Sequence, residues 1–302
     1  MSTNDPHWPR ANAWLARCDS DAKLAVVGVP TAVASISGSD GHLTPNHLRR
    51  VLAGFSTFHG ETRADLDALP VTDLGDWDVA TIDMHDSQAE VARLAADLNP
   101  GPVYAFIGGD NAITRPLIGG LSRGDLSRVG VLTFDAHHDV RALDHGPTNG
   151  TPIRGLIEDG LPDGRVAQVG IHSFANSAAY RRYCDDHGIS VFTMADIDTA
   201  GPVTVVATAL DLLADKVDWI YVDFDIDVLD SSFAPGCPGS RPGGMSPRQL
   251  AISAFVCGAH AKVLAADFVE VDPARDRADI TMMNLANTFL SFAAGLTMRE
   301  TT

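Results

Sequence analysis

Seven short apolar runs constrain the fold of this chain more than any other feature: LAVVGVP (24–30), VYAFIGG (103–109), VGVLTFDAH (129–137), RVAQVGI (165–171), ISVFT (189–193), WIYVDFDID (219–227) and VLAADFVEV (263–271). Each has strand length, and none alternates strictly between apolar and polar. A strand with one wet face alternates; a strand covered on both faces does not. Ala- and Leu-rich segments of helical length lie between the runs. SQAEVARLAADL (87–98) offers Ser87 as a cap with Glu90 three residues on, the capping-box spacing. TVVATALDLLAD (204–215) and SPRQLAISAFVCGA (246–259) read alike, the latter with Pro247 at a first helical position. MMNLANTFLSFAAGL (282–296) predicts a packed C-terminal helix. Strands alternating with helices imply a largely parallel α/β sheet with helices on both faces. No internal repeat, low-complexity tract or linker divides the chain, so residues 1–302 are expected to form a single domain. The Gly/Pro-rich stretch at 232–247 is read as a functional loop inside it.

The 39 acidic against 22 basic residues give a net charge of −17, which argues against a nucleic-acid backbone or an anionic membrane surface as partner. No stretch approaches the roughly 18 apolar residues of a membrane span, and the N-terminus lacks a signal-like apolar core. Cys18, Cys184, Cys237 and Cys257 have neither zinc nor redox spacing and are too few for a disulfide framework. A cytoplasmic setting is expected.

Where the acids fall is more telling than how many there are. VGVLTF runs into Asp135, His137, His138 and Asp139, and WIYV runs into Asp223, Asp225, Asp227 and Asp230. Ligand sites of open α/β sheets form beyond the carboxyl ends of strands. Carboxylates crowded there repel one another and cost several kcal/mol of desolvation each if buried; one or two divalent cations remove both problems. On an extended backbone Asp135, His137 and Asp139 share one side, as do Asp225 and Asp227, with Asp223 if the strand continues. Mixed oxygen and imidazole donors suit Mn2+, with Fe, Co, Ni or Zn as chemical alternatives.

DAHHD (135–139) together with DFDIDVLDSSFAPG (223–236) resembles the signature pair of the ureohydrolases, the arginase, agmatinase and formimidoylglutamase family. GVP (28–30), GGDN (108–111), NGTP (149–152) and VEVDP (269–273) follow in that family's order. The resemblance implies a three-layer α/β/α sandwich around a parallel sheet of about eight strands, holding two manganese ions bridged by hydroxide. Carried over by position, Asp135 and Asp225 would bridge both metals, Asp139 would complete the first site, and His137 and Asp227 the second. Glu270 would pair with the cationic guanidinium or formimino group. The family is commonly trimeric or hexameric, so a homo-oligomer is expected.

Two positions depart from the family pattern. Its usual GGDH or GGGH places a His ligand of the first metal where this chain has Asn111. A neutral amide oxygen is the weaker ligand, which leaves three options: weak coordination by Asn111, substitution by water or His138, or a partly empty first site. The shuttle His of arginases and agmatinases is here Asn149, which cannot carry a proton; His145, four residues earlier, could serve only if its loop is rearranged. The SGTP often found in formimidoylglutamases, and their DAHFDLR, are similar to NGTP and DAHHDVR here, whereas FAPGCPGSRPGG (233–244) is as similar to the agmatinase loop FAPGTGTPEPGG. Arg241 replaces the Glu of that loop and favours an anionic substrate. Arg141, Arg154 and Arg241, with Asn149, are the candidate substrate-binding residues. The expected reaction is metal-assisted hydrolysis of a linear amidine, N-formimidoyl-L-glutamate to L-glutamate and formamide. The alternatives are agmatine or another guanidino substrate releasing urea, or a metal-poor member that binds a small molecule or sister subunit without turnover.

Overall fold

The computed structural model describes residues 5–299, and its centre is an eight-stranded, wholly parallel sheet. In chain order the strands are β1 (Leu24–Val29), β2 (Phe58–His59), β3 (Ala64–Asp65), β4 (Val71–Asp76), β5 (Val103–Gly108), β6 (Val129–Phe134), β7 (Val166–Ile171), β8 (Ser190–Thr193), β9 (Trp219–Asp225) and β10 (Val263–Val269). The sheet runs β4-β1-β5-β10-β9-β6-β7-β8, while β2 and β3 form a separate two-stranded antiparallel ribbon. All seven apolar runs are strands of this sheet. The eighth strand, β4, lies at the edge, where Asp73 and Asp76 both grip Arg49.

The lack of alternation has the expected cause. Leu24 and Val26 of β1 pack on one face while Ala25 and Val27 pack on the other; Leu132 and Phe134 of β6 likewise oppose Val129 and Val131. The first face is covered by α1 (Ala11–Leu15), α2 (Thr44–Val51), α8 (Pro202–Ala214), α9 (Pro247–Ala259) and α10 (Ile280–Leu296), with α7 (Met194–Ala200) beside them. The second face is covered by α3 (Met84–Ala96), α4 (Thr114–Leu121), α5 (Pro152–Glu158) and α6 (Ala178–Asp186). The result is the three-layer α/β/α sandwich. No single helix among the described residues is long and apolar enough to cross a membrane.

Two helix starts had contrasting outcomes. Helix α9 begins at Pro247 behind a Ser246 cap, with Gln249 closing a capping box. Helix α3 begins three residues before Ser87: Asp83 is its cap, accepting from the backbone N–H groups of His85 and Asp86. Ser87 is buried within the first turns, its hydroxyl 3.5 Å from that of Thr31. An Asp in extended conformation captures two orphan amides at the helix start, so the nominal spacing from Ser87 to Glu90 has no capping role.

Chain order places the site. After β5 the chain leaves to build β6, β7 and β8, then returns with β9 and β10 into the gap between β5 and β6. The carboxyl ends of these four central strands therefore open side by side at a topological switch point, where such sheets bind ligands. Phe134, Phe224 and Phe268 align across β6, β9 and β10, stacked with ring centroids 5.0 and 5.1 Å apart. Phe289 and Phe292 of α10 meet this row edge-on. Asp135 and Asp225 each follow a ring of the row directly, and Glu270 lies two residues beyond the third, so aromatic packing sets the register of the polar ends.

Candidate metal centre

Beyond the Phe row the chain stops being extended, which corrects the geometric premise drawn from spacing. Strand β6 ends at Phe134, and Asp135 turns back to accept from the His137 backbone N–H. Asp139 takes a left-handed conformation at φ 52°. Strand β9 ends at Asp225, which accepts from Asp227 N at 2.8 Å and so caps a single turn over Ile226–Val228. Strand pleating does not gather the acids; carboxylate-capped turns do. His137 Nδ1 lies 2.7 Å from Asp227 Oδ2 and 3.5 Å from Asp135 Oδ1, and Asp227 Oδ1 accepts from Ala136 N at 2.9 Å. Asp135, His137 and Asp227 each offer a ligand atom, all within 4.8 Å of one another. His137, Asp139, Asp225 and Asp227 all face one cleft, of about 120 Å³. Asp223, one pleat below Asp225, faces Asp267 on β10 instead of the cleft.

Protons in this arrangement stand where cations belong. Burial, then the charge of Asp227, pushes Asp135 up to about 7. Asp139 and Asp225 are held well above the usual carboxylate range, by burial first and by their acidic neighbours second. Asp227, aided by Asp135, raises His137 to about 12. Burial alone would raise Asp227, but the His137 imidazolium and its hydrogen bonds outweigh it and hold the acid near 2. Among the described residues His137 is the only cationic side chain paired with these ligand candidates. Buried oxygens and one imidazole, converging without Lys or Arg, fit one or more borderline divalent cations.

His138 is not a substitute ligand. It is buried facing the other way, its Nδ1 2.7 Å from Gln168 Oε1 and its carbonyl accepting from Gln168 Nε2. Asn111, in the turn after β5, does face the cluster: Nδ2 donates to Asp139 Oδ2 at 2.7 Å, and Oδ1 accepts from the Thr114 hydroxyl at 2.8 Å.

Glu270 projects into the same cleft from β10. Its backbone is left-handed, at φ 67°, and its N–H donates to Gly109 O at 2.8 Å. Oε1 accepts from Asn111 N at 2.8 Å and from Asn149 Nδ2 at 3.0 Å, leaving Oε2 without a protein donor among the described residues. Burial, then neighbouring Asp110, pushes Glu270 up to about 8. Asn149 Oδ1 in turn accepts from Ile36 N at 3.0 Å. Asn149 thus stands at the cleft as the residue that orients Glu270, where the family pattern would place a proton carrier.

The three candidate arginines separate. Arg141 and Arg241 line the cleft, and neither forms an ion pair among the described residues. Gly150 makes room for the first: a Cβ there would meet Arg141 Cδ at 2.6 Å. Arg154 is absent from the lining; it bonds Glu158 one helical turn on and lies over the Tyr183 ring. His145 is exposed on the turn Leu143–His145, outside the cleft, so the loop is not rearranged to bring it in. Sequence reasoning missed Asn176 and Tyr180, which line the cleft from the segment after β7, and Asp110, whose carboxylate ties Ala34 N and Ala112 N together beneath it. The strand-end rule, applied to RVAQVGI as it was to the acidic runs, flags the HSFANS stretch that carries Asn176.

Comparison with known proteins points to one family. A formimidoylglutamase of Halalkalibacterium halodurans is 39% identical over 279 residues, covering 90% of this chain and 86% of that protein. A guanidinopropionase of Pseudomonas aeruginosa is 31% identical, covering 84% and 80% respectively. The crystal structure of a Bacillus subtilis formimidoylglutamase superposes with a TM-score of 0.93 at 32% identity, covering 100% of this chain and 96% of that one. The profile described as the arginase family matches residues 22–295. The chain belongs to the arginase family.

Proposed function

We propose that the chain is a metal-dependent formimidoylglutamase that hydrolyses N-formimidoyl-L-glutamate to L-glutamate and formamide. One observation carries the reading: the cleft has an acidic floor of Asp139, Asp225, Asp227 and Glu270 with His137, and in its wall stand two arginines that form no ion pair among the described residues. That polarity matches a substrate with a cationic formimino group at one end and two carboxylates at the other. Agmatine has no carboxylate for Arg141 and Arg241 to bind. The 39% identical relative is itself a formimidoylglutamase.

Asp135, His137, Asp139, Asp225 and Asp227 would hold two Mn2+ ions, with Asn111 beside Asp139. When bound, such ions polarise the substrate and lower the pKa of water toward neutrality. The protein's own groups do the rest. Glu270 Oε2 accepts from the formimino N–H groups and fixes the planar carbon over the acidic floor. A carboxyl held near 8 by burial ionises when it meets that cation. Asn111 N and Asn149 Nδ2 keep Glu270 from turning away. Arg141 and Arg241 bind the two carboxylates of the tail in charge-assisted contacts. Water adds to the formimino carbon, the carbon–nitrogen bond to glutamate breaks, and the glutamate amine departs with a proton.

A cytoplasmic setting is part of the same proposal, and the family resemblance implies a trimer or hexamer, which a light-scattering mass checks. The test of function is a panel assay with Mn2+. Glutamate and formamide from formimidoylglutamate are expected. Faster release of urea from agmatine, guanidinobutyrate or arginine moves the chain to the guanidino branch, and no turnover on any of them leaves a binding protein.

A further inference from the structure

Behind Asn111 lies a buried polar chain that the hydrolytic reading does not use. Thr114 Oγ1, at the start of α4, is 2.8 Å from Asn111 Oδ1 and 2.7 Å from Asp267 Oδ2 on β10. Tyr221 of β9 donates its hydroxyl to the same Asp267 oxygen at 2.8 Å. Asn111, Thr114, Tyr221 and Asp267 are all buried, and no Lys or Arg is bonded to the group among the described residues.

A threonine hydroxyl has one hydrogen and cannot donate it to both neighbours. Two arrangements satisfy the same heavy-atom positions, because a half-turn of the Asn111 amide exchanges Oδ1 and Nδ2 without moving any other atom. In the first, Thr114 donates to Asn111 Oδ1 and the amide NH2 faces Asp139, 2.7 Å away. In the second, Thr114 donates to Asp267, its lone pair accepts from the amide NH2, and the amide oxygen faces Asp139. Two oxygens that close repel unless a cation or a proton lies between them, so the first arrangement pairs the NH2 with a carboxylate and the second turns the amide oxygen toward a bound cation.

We propose that Thr114 and Asp267 are positioning residues that set which end of the Asn111 amide faces the cation site. Thr114 is suited to the task because a hydroxyl donates or accepts at one position, and Asp267 because an acceptor shared with Tyr221 draws the Thr114 hydrogen away from Asn111. The chain thereby makes a ligand oxygen of a residue whose NH2 would otherwise oppose the metal. This rests on the binuclear reading of the site and extends it to groups that touch neither metal nor substrate.

Equilibrium dialysis against a Mn2+ series, with metal counted per chain, tests it without recourse to turnover. Thr114→Val keeps the shape and removes the hydroxyl; it is expected to weaken one of two Mn2+ ions by about 10- to 100-fold and leave the other unchanged. Thr114→Ser is expected to restore affinity to within about threefold. Asp267→Asn can donate to Thr114 and force its hydrogen onto Asn111, so the same ion is expected to weaken. A role exerted through Asn111 makes the effects non-additive: in an Asn111→Ala background, Thr114→Val is expected to change affinity by less than about twofold. The proposal is overturned if Thr114→Val leaves both affinities intact, or if it weakens them equally with and without Asn111. A wild-type chain binding fewer than one Mn2+ refutes the metal site itself; two bound ions with an indifferent Thr114→Val refute this assignment alone.

Discussion

Removing the metal should make the folded protein lose stability as pH rises from 6.5 to 8. Without cations, Glu270 keeps its proton up to about 8 in the fold, against an ordinary value of 4.5. An acid raised in the folded state contributes stability below its unfolded pKa, and that contribution disappears as pH rises through the folded value. Asp135 and Asp110, each raised to about 7 by burial, behave alike. His137, raised to about 12, loses its contribution steadily above its ordinary 6.5. Asp227, held near 2, has its contribution fully present throughout this range and loses it only in strong acid. Burial lowers His138 and His172, which act oppositely but only below about 6.5. Between pH 6.5 and 8 the remaining slopes therefore share one sign. At about 1.4 kcal/mol per pH unit, Glu270 alone removes on the order of 2 kcal/mol across that window, a large part of a typical margin of about 5–15 kcal/mol. Urea denaturation in EDTA at half-unit pH steps reads this directly. Glu270→Gln, which keeps the acceptor for Asn111 N and Asn149, should flatten the slope by about that 2 kcal/mol. Saturating Mn2+ should abolish or invert it, because deprotonated ligands then bind metal. A metal-free protein whose stability is flat or rising from pH 6.5 to 8 refutes the placement of protons in the cleft.

Three further outcomes follow from the same geometry. Glu270→Gln should lower kcat/KM for formimidoylglutamate by about 100-fold or more, since a charge-assisted contact to the reacting group is lost, while bound Mn2+ per chain stays unchanged; lost metal would make Glu270 a ligand. Arg141→Ala and Arg241→Ala should each raise KM about 10-fold or more with kcat within about threefold, as expected of tail contacts made equally in ground and transition states; a fall in kcat alone refutes that role. Phe224→Ala removes the middle ring of the aromatic row and should cost about 3–5 kcal/mol in urea denaturation; a cost under about 1 kcal/mol means the row does not hold the strand ends.

Much of the architecture was legible because its cause is local. Each of the seven apolar runs carries burial on both faces in its own composition, so LAVVGVP and WIYV announce strands without help from the rest of the chain. The polar edge strand β4 announces little, since only its first residue is buried. The start of α3 is not legible, because Ser87–Glu90 has capping-box spacing while the true cap, Asp83, is recognisable only by the amides it reaches. The acids were legible as a group, for crowded carboxylates after apolar strands have few other uses. The means of gathering them was not: a left-handed Asp139 and two Asp-capped turns are backbone events without a periodic signature. Least legible were roles set by distant partners. Asn149 read as a missing proton carrier, yet it orients Glu270, 121 residues away. Asp267, inside VLAADFVEV, carries no mark in the sequence of the Thr114 and Tyr221 hydroxyls that converge on it.

In the proposed reading, two strand ends hold a pair of cations serving one amidine-hydrolysing cleft. Titrating metal-free protein with Mn2+ while counting bound ions and formamide released from formimidoylglutamate tests it most directly. Two ions per chain are expected, with turnover appearing as the second binds and vanishing in EDTA; fewer than one ion per chain, or turnover that survives EDTA, would contradict it.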